Sequence, residues 1–455
     1  MRLRHLKSSS VVVEEGDTRV LCDPWLLDGA FYGAWAHYPP LSFEPEDYAD
    51  VDYIYVSHIH PDHFHRPTME RLDSDTPVLI HDYATDFLKQ NVERLGFDVI
   101  ELPHAERTHL AGDLYVNVLG ADDCDPEVCG NYYGCGWWLE GETDRTTDGS
   151  TQIDSMGVFD NGEEVLVNAN DCRWPLSERV CASVADQYED VDLLLMQYGA
   201  ANFYPQCMDD YTHAERLEAR SEVIEEMYED AEGFVNALEP RYFMPFAGSY
   251  VLSGSLAERN EYVASPTRSE AFWHFLGSDN ITSERSEPIL LNSEEYFDLA
   301  TGEPSASYDP IDPTERRAYV QNELASRTFE YETGEIPTLD DLDDLVGRAY
   351  EHYDEKRRDI GWESDTTVLL DLVDDTVAAV SADGSGYDLV DASTADAMES
   401  GYVRMTMDPR LLHRILRGPA NAHFNNAQIG SHIAFRKKPD VYERPLYYAM
   451  SYFHS

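Results

Sequence analysis

A run that reads as a buried strand, Val51 to Val56, leads directly into Ser57-His58-Ile59-His60-Pro61-Asp62-His63-Phe64. His58 and His60 are two apart, so both point to one side where the strand ends. Pro61 keeps a helix from starting too early, and Asp62 and His63 follow on the turn. Imidazoles with a carboxylate suit a borderline metal such as zinc, manganese or iron, and suit calcium poorly. A surface turn that merely happens to be rich in histidine does not account for H-x-H-x-D-H spacing directly behind an apolar strand.

The flanking chain alternates short strands and helices. Ser10–Glu14 and Thr18–Cys22 read as strands around the turn Glu15-Gly16-Asp17, and the second runs into Asp23-Pro24-Trp25. Strands are predicted at Pro77–Ile80, Val99–Leu102 and Leu114–Leu119, with helices from Thr68 to Leu72 and from Thr85 to Leu95. Another apolar strand, Val165–Val167, runs through Asn168-Ala169-Asn170 to Asp171. This pattern predicts an α/β sandwich.

The H-x-H-x-D-H signature, the opening hairpin and its Asp-Pro pair resemble the metallo-β-lactamase superfamily of metallohydrolases. The resemblance implies an αββα sandwich with His58, His60, Asp62 and His63 as metal ligands, and with Asp171 bridging two metals. It also implies a histidine at the end of an intervening strand. The matching stretch, Leu119-Gly120-Ala121-Asp122-Asp123-Cys124, has none, which makes Asp122, Asp123 or Cys124 the candidate substitutes. His213 is the candidate for the late histidine. The stretches Asn168–Cys172, Met196–Pro205 and Phe243–Tyr250 are similar to the lactamase-like domain of CMP-N-acetylneuraminate hydroxylase and its relatives. A Rieske centre needs Cys-x-His pairs, and no cysteine of this chain is followed by a histidine at that spacing.

These residues imply a metal-dependent hydrolase in which Asp62 positions the attacking water, with a divalent metal as cofactor: zinc first, iron or manganese as alternatives. Two other readings stay open. One is an iron-dependent oxygenase that takes electrons from a partner protein. The other is a non-catalytic ligand-binding protein.

Three parts are expected: a lactamase-like domain over 1–265, a helical connecting region over 266–360 and an α+β domain over 361–455. Leu217–Leu238, Arg316–Phe329 and Leu339–Arg358 are predicted helices. Gly302–Pro310 is the linker candidate. Near the end come the strands Thr366–Leu372 and Tyr402–Met407, then a helix capped by Asp408 and Pro409 and stopped by Gly418, then a short strand within Ala427–Phe435. That order is similar to the last portion of sterol-carrier-protein-like domains; a purely structural or dimerising unit, giving a homo-oligomer, is the alternative.

Charge narrows the partners. The net charge is −55, from 88 acidic and 33 basic residues, and lysine occurs only at 7, 89, 356, 437 and 438. Hydrophobic residues make up 42%, enough to form cores, so the acidity does not signal disorder. Such a chain looks like a protein of a salt-rich cytoplasm, where counterions screen its self-repulsion. Only Arg436-Lys437-Lys438 approaches a basic patch, which argues against nucleic acid and for a small-molecule substrate. No signal peptide or membrane span is evident, and seven cysteines are expected as reduced thiols of a cytoplasmic protein.

Overall fold

The computed structural model describes residues 1–83, 85–120, 154–174 and 176–455. The first sheet runs in the order 303–304, 296–298, 2–7, 10–15, 18–22, 53–55, 78–81, 99–102. The second runs 287–288, 242–245, 193–196, 165–168, 155–160, 114–120, 108–111. The predicted hairpin is present with Val13 opposite Val20, and it gains a strand not expected from the sequence, Arg2–Lys7.

Alternation along the strands decides which side chains go where. Val11 and Val13 point inward and pack with Val116, Val118, Phe159, Leu166 and Leu195 of the second sheet. Val12, Leu21, Ile54 and Ile80 point the other way, against Met69, Leu72, Leu88 and Val92 of the helical segments outside. On the far face of the second sheet, Val158, Val167, Leu194 and Phe243 cover Val180, Val184, Phe234, Val235 and Phe275 from three helices. The result is two sheets back to back with helices on both outer faces.

The longest of these helices, His213–Leu238, opens on a capping box in which the Thr212 side chain accepts from Glu215 N–H. Helices Arg66–Met69 and Phe87–Glu93 are shorter than expected. The stretch 266–360 carries helices but also the strands Glu287–Pro288, Tyr296–Asp298 and Glu303–Pro304, which add to the edges of both sheets. Proline is tolerated there because an edge strand needs fewer ladder donors. The predicted helix from Arg316 begins at Pro313, is π-helical over Val320–Leu324, and stops short of Phe329.

A third sheet, ordered 387–391, 376–381, 367–371, 402–406, 434–438, forms the additional C-terminal domain. Val368, Leu370, Val403 and Met405 cover Leu342, Val346 and Tyr353 of helix Leu339–Asp359 and Leu411, Leu412 and Ile415 of helix Pro409–Leu416. Asp408 caps the latter by accepting from Arg410 N–H, as its sequence predicts. The final strand lies later than expected: Phe424–Ile429 is helical, and the extended stretch is Ala434–Lys438. Lys437 is buried and paired with Asp440 at 2.7 Å, so the Arg-Lys-Lys run is not a continuous basic surface.

This domain is sewn to the first. Phe435 N–H donates to Cys207 O at 2.8 Å, Asp209 N–H donates to Phe435 O at 2.9 Å, and the Phe203 and Phe435 rings lie 4.6 Å apart. Cys22, Cys181 and Cys207 are buried free thiols and Cys172 is buried; Cys124, Cys129 and Cys135 lie outside the described residues. Among the described residues, no helix is long and apolar enough to cross a membrane.

Lys7, at the end of the first strand, is 7% exposed. Burial, with Arg268 nearby, lowers its ammonium to about 7. In the unfolded chain it titrates at about 10.4. Between those values the unfolded state holds a proton that the folded state lacks, so this group's contribution makes stability rise with pH, by at most about 1.4 kcal/mol per pH unit. Urea unfolding of the wild type and of Lys7→Met at pH 7.5 and 9.5, in buffer free of multivalent anions, is expected to show the gap moving in favour of the wild type at the higher pH. A pH-independent gap would refute the assignment.

Candidate metal centre

The Tyr53–Tyr55 strand delivers the segment that follows it to one end of the sandwich. Asp23, which follows the neighbouring strand Thr18–Cys22, is wholly buried with φ +48° and organises that segment. Its Oδ1 accepts from Ser57 N–H at 2.7 Å and its Oδ2 from the Ser57 hydroxyl at 2.8 Å. Asp23 Oδ2 also lies 2.9 Å from His63 Nδ1. Since the Ser57 hydroxyl proton is committed to Asp23, His58 Nδ1, 3.0 Å from Ser57 Oγ, is the donor in that contact. Both imidazoles therefore turn their Nε2 atoms away from these anchors. A carboxylate behind a ligating imidazole fixes its tautomer and orientation.

Those Nε2 atoms are buried and make no hydrogen bond. They face carboxylates: His58 Nε2 lies 3.7 Å from Asp154 Oδ1, and His63 Nε2 lies 3.3 Å from Asp171 Oδ1 and 3.7 Å from Asp62 Oδ2. His58, His60 and Asp154 can each offer one ligand atom with all three within 4.8 Å of one another, and so can His58, His63 and Asp171. This His/Asp group could hold a metal ion. The orphaned Nε2 atoms fit one, because a cation between imidazole and carboxylate satisfies both.

The electrostatics agree. Burial raises Asp62 to about 7 against the pull of His63, and burial together with Asp171 raises Asp154 to about 7. Burial lowers His58 well below the ordinary imidazole value, and lowers His60 to about 4. His63 goes the opposite way: burial opposes its charge, but Asp171, Asp23 and Asp62 outweigh burial and hold it well above the ordinary value. The pocket thus has more negative charge than its side chains can neutralise, the condition that a divalent cation relieves.

The sequence-predicted residues divide. His58, His60, Asp62, His63 and Asp171 come together. Asp122, Asp123 and Cys124 lie outside the described residues. His213 belongs to neither group; it is exposed on the first turn of its helix, with Nδ1 2.9 Å from the Tyr262 hydroxyl. His423, His432 and His454 belong to neither group; His432 is tied to Phe31 O at 2.8 Å and to Tyr331. Asp154 was missed. It precedes the strand Ser155–Asp160, whose Ser155 pairs with Gly120 at the end of Leu114–Gly120, so it stands beside the strand end where the expected histidine would be. Asn425 was missed too. From the C-terminal domain its Oδ1 comes to 3.3 Å from His60 Nε2.

Residues 2–131 match the Beta-lactamase superfamily domain. The two stacked sheets between helices are the metallo-β-lactamase fold, followed here by the additional C-terminal domain. Among solved structures, similarity extends to an isothiocyanate hydrolase from Delia radicum gut bacteria, at 14% identity over 66% of this chain and 99% of that one, with a TM-score of 0.45. It extends also to CmlA, a diiron β-hydroxylase from Streptomyces venezuelae, at 18% identity over 64% of this chain and 53% of that one, with a TM-score of 0.40. A third is Igni18, a metallo hydrolase from Ignicoccus hospitalis, at 13% identity over 65% and 98%, with a TM-score of 0.39. No curated protein matches the chain.

Asp23→Ala removes the anchor of His63 and Ser57 without removing a proposed ligand. It is expected to weaken metal binding about 10- to 100-fold, the usual effect of losing such an orienting carboxylate. Competition with a chromophoric chelator measures it; unchanged affinity would show that His63 needs no anchor.

Proposed function

We propose that this protein is a metal-dependent hydrolase of small molecules. The observation that supports this most directly is the pair of buried, unbonded Nε2 atoms on His58 and His63 facing Asp154 and Asp171. In this reading His58, His60 and Asp154 hold one divalent metal, and His63, Asp62 and Asp171 hold the second, with zinc the first candidate. A bound metal of this kind lowers the pKa of a coordinated water toward neutrality and polarises the bond under attack. Asp62, 6% exposed and close to His63 Nε2, orients the attacking water and receives its proton. Ser9 steadies this group by donating from its hydroxyl to Asp62 O at 3.1 Å. Asn425 and the helix that carries it narrow the approach to His60. Crowded access and an acidic surface favour a small, neutral ester, amide or lactone over a polyanion. We also take the lactamase-like unit to continue past residue 265 as far as Pro304, because strands up to that residue complete its sheets.

One observation favours a second reading. The groupings His58–His60–Asp154 and His58–His63–Asp171 each combine two imidazoles with one carboxylate. That donor set, with open positions, also serves non-haem iron in oxygenases. The chain would then need an electron-delivering partner.

Elemental analysis of the protein from its own host tests both readings. About two zinc ions per chain, with turnover of ester or lactone substrates, supports the hydrolase. Iron with visible absorbance favours the oxygenase. Absence of any stoichiometric metal would refute both.

A further inference from the structure

A second cavity lies apart from the His/Asp group. It is a cleft of about 630 Å³ between the end of the Arg2–Lys7 strand, the loop carrying Tyr38, the start of helix Arg268–Gly277 and the segment 307–312. None of the proposed metal ligands lines it. Its walls include the rings of Tyr38, Tyr198, Tyr250 and Tyr308.

Three cations line this cleft: Lys7, Arg268 and Arg316. That is unexpected in a chain with 88 acidic and only 33 basic residues, where carboxylates far outnumber cations. Yet among the described residues no carboxylate lies within 4.0 Å of any of the three. Arg268 is 6% exposed and locked in place: Nε donates to Pro245 O at 3.0 Å, and Nη1 donates to Leu291 O at 2.7 Å. Its Nη2 makes no hydrogen bond. The Tyr198 hydroxyl and His5 Nε2 are also buried without a partner. Arg316 donates to Tyr250 O at 3.1 Å. Lys7, 7% exposed, has no hydrogen-bond or ion-pair partner among the described residues. Carboxylates of Glu295, Asp309, Asp312 and Glu315 also line the cleft, but Glu295 is occupied with Asn292 and Asp312 with its own helix cap.

Burying unpaired cations and donors is costly, and proteins rarely leave several of them around one cavity. If Arg268 and Arg316 served only to brace carbonyls, Lys7 and the free Nη2 would have no use. A polyatomic oxyanion satisfies all of them at once, since it offers several acceptors in a small volume and makes charge-assisted bonds. The long-range field of this acidic chain repels anions, so affinity has to come from these short contacts. The depressed titration of Lys7 is consistent with a group waiting for an anionic partner.

We infer that this cleft binds a small organic oxyanion, with a carboxylate or phosphate group received by Lys7, Arg268 and Tyr198 and the body of the molecule held among the tyrosine rings. The site is separate from the metal centre and does not depend on the hydrolase reading.

Calorimetric titration of the full chain at constant ionic strength tests this, with inorganic phosphate in one arm and malonate in the other. Each titration is repeated on His58→Ala, so that an anion going to a metal is recognised. The expected result is saturable binding of at least one probe that persists in His58→Ala and weakens tenfold or more in Lys7→Met. Binding of phosphate alone identifies a phosphorylated ligand, and of malonate alone a carboxylated one. If Lys7→Met fails to fold, Tyr198→Phe, which deletes one unbonded oxygen, is expected to weaken binding severalfold. No saturable binding of either probe, binding that vanishes in His58→Ala, or binding unchanged in the cleft variants would overturn the inference.

Discussion

The His58→Ala protein is expected to lose most of its bound metal and about 10³-fold or more of its hydrolytic activity. In the proposed assignment His58 holds the first metal, and its ligand atom also lies within 4.8 Å of those of His63 and Asp171, so its removal empties one site and loosens the other. It is fully buried, so no neighbouring water substitutes easily for its imidazole. Losing a metal forfeits several kcal/mol of transition-state stabilisation as well as the acidified water, and each 1.36 kcal/mol is a factor of about ten in rate. Elemental analysis and initial rates on a substrate of the wild type, compared at equal protein, measure both effects. Full metal content in His58→Ala would refute the assignment, whatever happens to the rate. Circular dichroism separates this result from unfolding, because Ser57 stays anchored to Asp23 without the imidazole.

The Asp154→Ala protein is expected to keep about half the metal and to lose about 10²- to 10³-fold in rate, since one carboxylate-held metal supplies several kcal/mol. Asp154 belongs only to the group with His60, whereas Asp171 belongs only to the group with His63. The two sites should therefore empty separately: Asp154→Ala spares the metal held by His63 and Asp171, and Asp171→Ala spares the other. Asp154→His restores an imidazole at this position and should bind zinc at both sites. Metal counts per chain for the three variants decide the matter. If Asp154→Ala keeps every metal, this carboxylate is an electrostatic neighbour only, and the ligand comes from elsewhere.

Asp154 also shows where reading the sequence stops. His58, His60, Asp62 and His63 are legible because they are close in sequence and their spacing is set by a strand end and a turn. Asp171 is legible because an apolar strand aims it. Asp154 follows residues 121–153 and gains its place only through antiparallel pairing of Ser155 with Gly120. Asp122, Asp123 and Cys124 are the sequence candidates for that place because they follow the strand end directly, whereas Asp154 lies more than thirty residues further on. The one available signal is an aspartate immediately ahead of the apolar run Met156–Phe159. Strand alternation gives the two sheets because each buries one face of side chains, whereas the edge strands 287–304 are short and rich in proline and acid and look like a linker. Asn425 has no local signature at all, since 365 residues separate it from His60.

That last contact has a consequence for how such a protein diversifies. The proposed ligands all come from the first 171 residues, while Asn425, on a helix near the other end of the chain, approaches one of them. If the proposed function holds, chemistry and selectivity would be encoded largely in different stretches of the gene. On this reading, mutations in the distal stretch other than at Asn425, which touches His60 itself, should retune which molecules enter without disturbing how the metals are held. Exchanging that stretch between two such chains should swap their substrate ranges and leave metal content alone, and a chimera that loses its metals would show that the two stretches cannot vary independently.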